Sequence, residues 1–118
     1  MKWLFHPDNH PMISDELINT RLRFYSQPIM QEVAPRILAM IPRHDEFLIP
    51  LDRINSDTLF LWTEDNPVHD VETARHSAAR VPGAQLYVMR AVSAHWPQYE
   101  APQEFNAVVR SFLRDGRI

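Results

Sequence analysis

The chain has no cysteine and only two glycines among its 118 residues. The lack of cysteine excludes disulfides, thiolate zinc sites and cysteine nucleophiles. Gly83 and Gly116 lie far apart, whereas phosphate-binding loops and the turns that present a nucleophilic serine need glycine where side chains cannot fit. The sequence therefore contains no P-loop, no G-x-G-x-x-G fingerprint and no G-x-S-x-G nucleophile elbow.

Long apolar runs and clustered positive charges are also missing. No stretch approaches the roughly 20 apolar residues that span a bilayer, and the N-terminal run Trp3–Phe5 is too short for the core of a signal peptide. The net charge is -3 and the lysines and arginines are scattered, which disfavours a phosphate backbone as a partner. We expect a cytoplasmic chain that binds neither membranes nor nucleic acid.

Histidine is comparatively frequent, with six residues, but its spacing does not favour a metal site. His6 and His10 are separated by a helical spacing, yet Pro7 and Pro11 disfavour a shared helical face, and the sequence has no H-E-x-x-H motif. We predict no metal site and no cofactor. The other polar residues that we interpret as solvated turn or surface groups are His44, Asp45, Glu46, Glu64, Asp65, His69 and His76.

The first half, residues 1–50, is rich in helix signals and prolines. Ser14 is the predicted N-cap of a helix over residues 15–26, because two acidic residues follow it. A second helix is predicted from Pro28, with a kink or split near residue 34 because Pro35 lies inside its apolar pattern.

The second half, residues 51–118, alternates short apolar strands with amphipathic helices. We predict a strand over 58–62, a helix over 71–81 capped by Asp70, a strand over 85–89 and a loop over 90–102. This order predicts a parallel crossover of an α/β sheet with an unpaired edge. A final helix is predicted from Pro102 to a Gly116 cap, with a buried stripe of Phe105, Val108, Val109, Phe112 and Leu113.

His95 lies on the loop after the second predicted strand, the end of an α/β sheet where sites concentrate. Its surroundings resemble a known family, through six segments that cover residues 57–114. These are Thr58–Val68, Glu72–Arg75, Val81–Leu86, His95–Glu100, Phe105–Asn106 and Ser111–Leu113. They resemble the C-terminal part of the α/β-hydrolase fold. The His95–Trp96 pair with Glu100 is most similar to the meta-cleavage-product hydrolases.

The resemblance implies a partial α/β-hydrolase fold, with residues 1–50 as a helical lid segment and 51–118 as the C-terminal α/β segment of the core. Hydrolases of this family cleave a carbon-carbon bond of vinylogous 1,5-diketones that come from aromatic ring fission. By resemblance, His95 is the catalytic base and Trp96 binds substrate. The acid position, counted as W-G-x-x-D from Trp62, falls on Asn66.

This chain departs from the family pattern in other ways. Thr63 and Ala94 stand where the family has glycine. An amide at Asn66 does not stabilise an imidazolium as a carboxylate does, and an Asp-to-Asn change that imposes the wrong histidine tautomer costs serine proteases about 10⁴ in turnover. Asp65 or Asp70 are alternative acids. No serine in the sequence is identified as the nucleophile.

Three functional hypotheses follow. The first is the C-terminal fragment of a serine-type hydrolase, inactive alone, that forms a homo-oligomer or joins a complementing N-terminal hydrolase chain and takes a small aromatic-derived substrate. The alternative is a non-catalytic interaction module that oligomerises or binds a partner chain. The third is an active hydrolase whose serine comes from another subunit.

Overall fold

The computed structural model describes residues 1–43 and 48–118, so the predictions for His44, Asp45 and Glu46 lie outside the described residues. The chain forms two compact units, one over Ile13–Pro50 and the other from Met1–Met12 with Leu51–Ile118. The first twelve residues, predicted as part of the helical segment, therefore pack with the α/β segment. Hydrogen bonds tie them there; among these, His95 N donates to Leu4 O and His6 N donates to a Glu100 carboxylate oxygen.

The unit over Ile13–Pro50 contains helices α1 (Asp15–Tyr25) and α2 (Pro28–Met40). Ser14 caps α1, since its hydroxyl accepts a hydrogen bond of 3.1 Å from Leu17 N. Of the predicted kink or split near residue 34, the split is wrong, because α2 continues through Pro35. Proline removes one backbone donor, but its fixed φ suits a helix and the flanking turns continue.

An open cleft of about 850 Å³ lies within this helical unit and contains none of the candidate site residues. Its lining residues are Glu16, Asn19, Leu22, Arg23, Ser26, Gln27 and Pro28. Across the described residues, no helix combines the length and apolar character that crossing a membrane requires.

The α/β unit contains the predicted strand–helix–strand crossover, as β1 (Leu59–Trp62), α3 (Val71–Arg80) and β2 (Gln85–Val88). The two strands pair in parallel, in a register that runs from Leu59 opposite Gln85 to Trp62 opposite Val88. Met89 N donates to Trp62 O at 2.8 Å and extends the ladder one residue past the end of β2. The loops that carry Asn66 and His95 consequently leave the sheet at one edge.

Asp70 caps α3, as predicted from the sequence. Its carboxylate accepts hydrogen bonds from the Thr73 hydroxyl at 2.7 Å and from Thr73 N at 2.8 Å. These bonds lower the pKa of Asp70. The Asp70 carboxylate therefore serves as the N-cap of α3.

The segment after β2 differs from the predicted continuous loop over 90–102. It contains a short helix α4 (Pro97–Glu100), followed by α5 (Pro102–Asp115). Both helices begin with a proline, whose missing N–H costs nothing in a first turn. The two prolines at a separation of five residues thus set two helix starts where only one was predicted.

The core of the α/β unit is small. Its buried apolar residues are Phe5, Ala74, Val81, Met89, Ala94, Ala101 and Val108. The predicted burial of Leu113 is wrong, since this side chain is 78% exposed. Leu113 lies about 140° around α5 from the buried Val108, at the margin of the apolar stripe.

Gly116 ends α5 with a left-handed φ of +68°. We predict that Gly116→Ala destabilises the chain by roughly 1 kcal/mol, because a Cβ disfavours this conformation. Gly116→Asn is the matched control and should lose less, since asparagine tolerates the left-handed region. Urea unfolding of the three chains measures the difference, and equal midpoints for Ala and Gly would contradict it.

Candidate functional site

His95 and Asn66, which were predicted as the base and the acid position, lie in direct contact. His95 Nδ1 is 3.1 Å from Asn66 Oδ1. Asn66 follows the carboxyl end of β1 and His95 follows the carboxyl end of β2, so the parallel pairing brings together two residues far apart in sequence. Both side chains are half-buried. The contact joins Nδ1 of the ring, the nitrogen that the acid of a catalytic triad would bond, to a neutral amide oxygen.

The contact also fixes which ring nitrogen of His95 carries the proton. Asn66 Oδ1 accepts a second hydrogen bond, of 3.0 Å, from Val68 N. A backbone N–H is always a donor, so it orients the amide with its oxygen toward His95. The proton then resides on His95 Nδ1, and Nε2 is the basic nitrogen. The amide at Asn66 thus supports the tautomer that a general base needs.

The two alternative acids, Asp65 and Asp70, have other partners. Asp65 Oδ2 is 3.7 Å from His6 Nε2, and Asp70 caps α3 through Thr73. His6 Nδ1 accepts from Asp8 N at 3.2 Å, which leaves the His6 proton on Nε2, facing Asp65. Among these three residues, the hydrogen bond to the His95 ring comes from Asn66.

Trp96 packs against an aromatic residue from the N-terminal segment. Its ring centroid lies 5.5 Å from that of Phe5, which in turn lies 5.8 Å from Tyr99 in an edge-to-face arrangement. Phe5 is 3% exposed, whereas Trp96 is half-buried. The Trp96 ring thus contacts the core through Phe5.

Thr63 and Ala94, the two positions where the family pattern has glycine, contact each other. The Thr63 hydroxyl donates a hydrogen bond of 2.6 Å to Ala94 O, and both residues are buried. This bond joins the end of β1 to the residue before His95. The two departures from the pattern therefore form one coupled pair.

Glu100 is a site residue that the sequence reasoning did not identify. Its side chain is buried, and its carboxylate accepts hydrogen bonds from Ala94 N at 2.9 Å and Trp96 N at 3.2 Å. The resemblance includes Glu100 without giving it a role, and Pro97 marks the start of α4 but not the burial of Glu100.

Glu104 fixes the start of the same loop. Its carboxylate accepts hydrogen bonds from Arg90 N, Ala91 N and the Tyr87 hydroxyl, at 2.9, 2.7 and 2.8 Å. Burial alone raises the pKa of Glu104, but these three bonds outweigh it and lower the pKa below its usual value. The bond to Glu104 raises the pKa of Tyr87.

A cavity of about 330 Å³ lies beside the His95 loop, lined mainly by apolar atoms. Its lining includes Ala94 but neither His95 nor Trp96. The other lining residues are Lys2, Trp3, Phe5, His6, Pro7, His10, Asp65 and Pro67. Within residues 1–43 and 48–118, no group of three or more acidic, histidine or cysteine side chains is arranged to hold a metal ion.

Two solved structures share the arrangement of this chain. A serine hydrolase involved in carbazole degradation, the CarC enzyme, matches with a TM-score of 0.76 and 24% identity over 86% of this chain and 40% of its own. The 2-hydroxy-6-oxo-6-phenylhexa-2,4-dienoate hydrolase BphD of Rhodococcus sp. strain RHA1 matches with a TM-score of 0.76 and 19% identity over 95% of this chain. The chain carries part of an α/β-hydrolase fold.

The sequence comparison agrees with this hydrolase fold. A 2-hydroxy-6-oxononadienedioate/2-hydroxy-6-oxononatrienedioate hydrolase of Pseudomonas putida is 26% identical over 103 residues, which are 86% of this chain. The chain spans 36% of that relative's length and 41% of the length of BphD. No family model matches the chain. The predicted resemblance to meta-cleavage-product hydrolases is confirmed, as is the partial fold.

We predict that Thr63→Val destabilises the chain by about 1–3 kcal/mol, because the isosteric change leaves the buried Ala94 O without its donor. Thr63→Ser keeps the hydroxyl and is the matched control. Urea unfolding of both variants measures the loss. If valine and serine give equal midpoints, the Thr63–Ala94 bond contributes nothing to stability.

The lowered pKa of Glu104 predicts an acid-sensitive contribution to stability. A carboxylate whose pKa is depressed on folding stabilises the fold above its unfolded pKa, and this stability is lost as the pH falls through the folded pKa. We expect Glu104→Gln to be less stable than the parent near neutral pH, with the difference shrinking below about pH 4.5. Unfolding curves across this range test it, with the exposed Glu64→Gln as control; a difference independent of pH would contradict it.

Proposed function

We propose that this chain is the C-terminal part of a serine-type α/β hydrolase that acts on the carbon-carbon bonds of meta-cleavage products of aromatic degradation. The observation that carries the proposal is the 3.1 Å contact between His95 Nδ1 and Asn66 Oδ1 at the sheet edge. A histidine oriented by a hydrogen bond on Nδ1 is the part of the hydrolase machinery that prepares a base.

His95 acts through Nε2. With the proton of its ring on Nδ1, Nε2 takes the proton of the attacking serine or water and later returns a proton to the leaving carbon. Trp96, whose ring packs against Phe5, follows His95 in the chain and is the residue to which the resemblance gives substrate binding. Asn66 orients the imidazole without adding a negative charge.

The nucleophile comes from a second chain or segment. Neither the serine elbow nor the oxyanion-hole donors are identified in this sequence, and oxyanion donors supply much of the transition-state stabilisation in such sites. The partial coverage of the relatives supports a complementing N-terminal hydrolase part, and the half-buried residues of β1 and β2 support a partner or a second copy on the sheet. Without a nucleophile of its own, the isolated chain is expected to be inactive. The proposed compartment of the protein is the cytoplasm.

A second candidate function is a non-catalytic module that binds a partner chain. The amide at Asn66 favours it, because a neutral partner stabilises the imidazolium less than a carboxylate does. In a non-catalytic module, proton transfer is not required, so an amide can stand at the predicted acid position. The hydrogen bonds that hold the His95 loop are compatible with both the catalytic and the non-catalytic candidate.

Mixing this chain with a separately expressed N-terminal hydrolase piece that carries a serine elbow tests the proposal. We expect restored ester or dienoate hydrolysis that disappears with His95→Ala. Asn66→Asp should raise turnover by well under the roughly 10⁴ that a wrong tautomer costs, because the tautomer is already correct and the substitution adds only the negative charge.

His76→Ala is the matched control, since His76 is exposed and lies on α3 away from the sheet edge. It should leave the restored activity unchanged. Binding between the two pieces without hydrolysis, for both the parent and Asn66→Asp, would overturn the catalytic proposal and favour the interaction module.

A further inference from the structure

Glu100 is a buried carboxylate, 7% exposed, that takes no part in the proposed proton transfer. Burying a carboxylate is costly unless hydrogen bonds compensate it. Four donors do so here: Ala94 N and Trp96 N face Oε1, and His6 N and Asn9 Nδ2 face Oε2.

The two donors on Oε1 belong to the residues on either side of His95. The backbone N–H of His95 itself donates to Leu4 O at 3.0 Å. Three consecutive N–H groups of the loop are thus held, the outer two by Glu100 and the middle one by the N-terminal segment. The backbone from which the imidazole projects is fixed on both sides.

The two donors on Oε2 come from residues 1–12. His6 N donates at 2.8 Å and Asn9 Nδ2 at 3.0 Å, and Asn9 Nδ2 also donates to Val92 O at 2.9 Å. The same carboxylate therefore joins the N-terminal segment to the loop that carries His95. A carboxylate can accept hydrogen bonds from all four donors, because both of its oxygens are acceptors. A glutamine amide cannot, because its NH₂ group would face one of the two pairs of donors.

We propose that Glu100 is a positioning residue, which sets the backbone of His95 so that its Nδ1 reaches Asn66. The inference deepens the proposed function and rests on it for the role of His95 in proton transfer. Glu100 touches no reacting atom in this scheme. It acts through the loop, and its loss is expected to release the imidazole from Asn66.

The ¹⁵N signals of the His95 ring in the full chain test this proposal without substrate or partner. In the parent we expect one dominant tautomer with the proton on Nδ1. Glu100→Gln should move both ring signals toward the average of the two tautomers, because the altered loop no longer holds Nδ1 at Asn66. Glu72→Gln is the matched control, since Glu72 is an exposed residue of α3 that faces His76, and it should leave the signals unchanged.

A milder variant keeps the test decisive if Glu100→Gln does not fold. Asn9→Ala removes one donor from Oε2 and should move the ring signals in the same direction by a smaller amount. Unchanged ring signals in folded Glu100→Gln would overturn the proposal, and if that variant is unfolded, unchanged signals in folded Asn9→Ala would overturn it.

The complemented enzyme separates this inference from the proposed function. We expect Glu100→Gln to lower kcat by about 100-fold with less effect on KM, the scale of a small misplacement of a catalytic group. Shifted ring signals without any complemented activity would overturn the proposed function alone. Activity that depends on His95 and is unaffected by Glu100→Gln would overturn the positioning role alone.

Discussion

The parallel pairing of β1 and β2 is the constraint on which the site depends. It places the loop after Trp62 and the loop after Val88 at one sheet edge, and the bond from Met89 N to Trp62 O carries the alignment one residue past the end of β2. A change of register by one residue would reverse the faces of the side chains. The contact between His95 and Asn66 therefore depends first on the strand register, which places their two loops side by side.

Beyond the sheet edge, polar groups hold the loops in place of a large apolar core. The buried hydroxyl of Thr63 bonds the residue before His95, Glu100 bonds the residues on both sides, and Glu104 bonds the start of the loop. Backbone donors in such a loop have no ladder to join, and a buried donor without a partner costs about as much as a lost hydrogen bond. Glu100 on α4 and Glu104 on α5 supply acceptors for these backbone donors, and their positions fix the conformation of the loop.

The sequence predicted the elements that depend on local patterns. The strands, the crossover helix with its Asp70 cap and the end of α5 at Gly116 follow from apolar runs, caps and a glycine. The contact of His95 with Asn66 was anticipated only through the spacing from Trp62 in the resemblance. Periodicity alone would not have found it.

The roles of Glu100 and of residues 1–12 were not predictable in this way, because they depend on hydrogen bonds between segments about ninety residues apart. Glu100 was counted only as part of the resemblance. A surface-type residue in a predicted loop gives no pattern that indicates burial. The N-terminal segment was assigned to the helical half by position in the chain, whereas its partner groups are backbone donors and a carboxylate that the sequence does not mark.

The orientation of Asn66 bears on how a site of this kind can lose its acid and keep its geometry. The hydrogen bond from Val68 N occupies the same oxygen that faces His95, so the amide is oriented by the backbone and not by the imidazole. A carboxylate at this position would accept the same two bonds with either oxygen, and the amide keeps both with its one oxygen. What the amide removes is the negative charge that stabilises the imidazolium, while the tautomer is retained. At the predicted acid position, Asn66 thus retains a hydrogen bond that orients the imidazole and lacks the charge that a carboxylate would add.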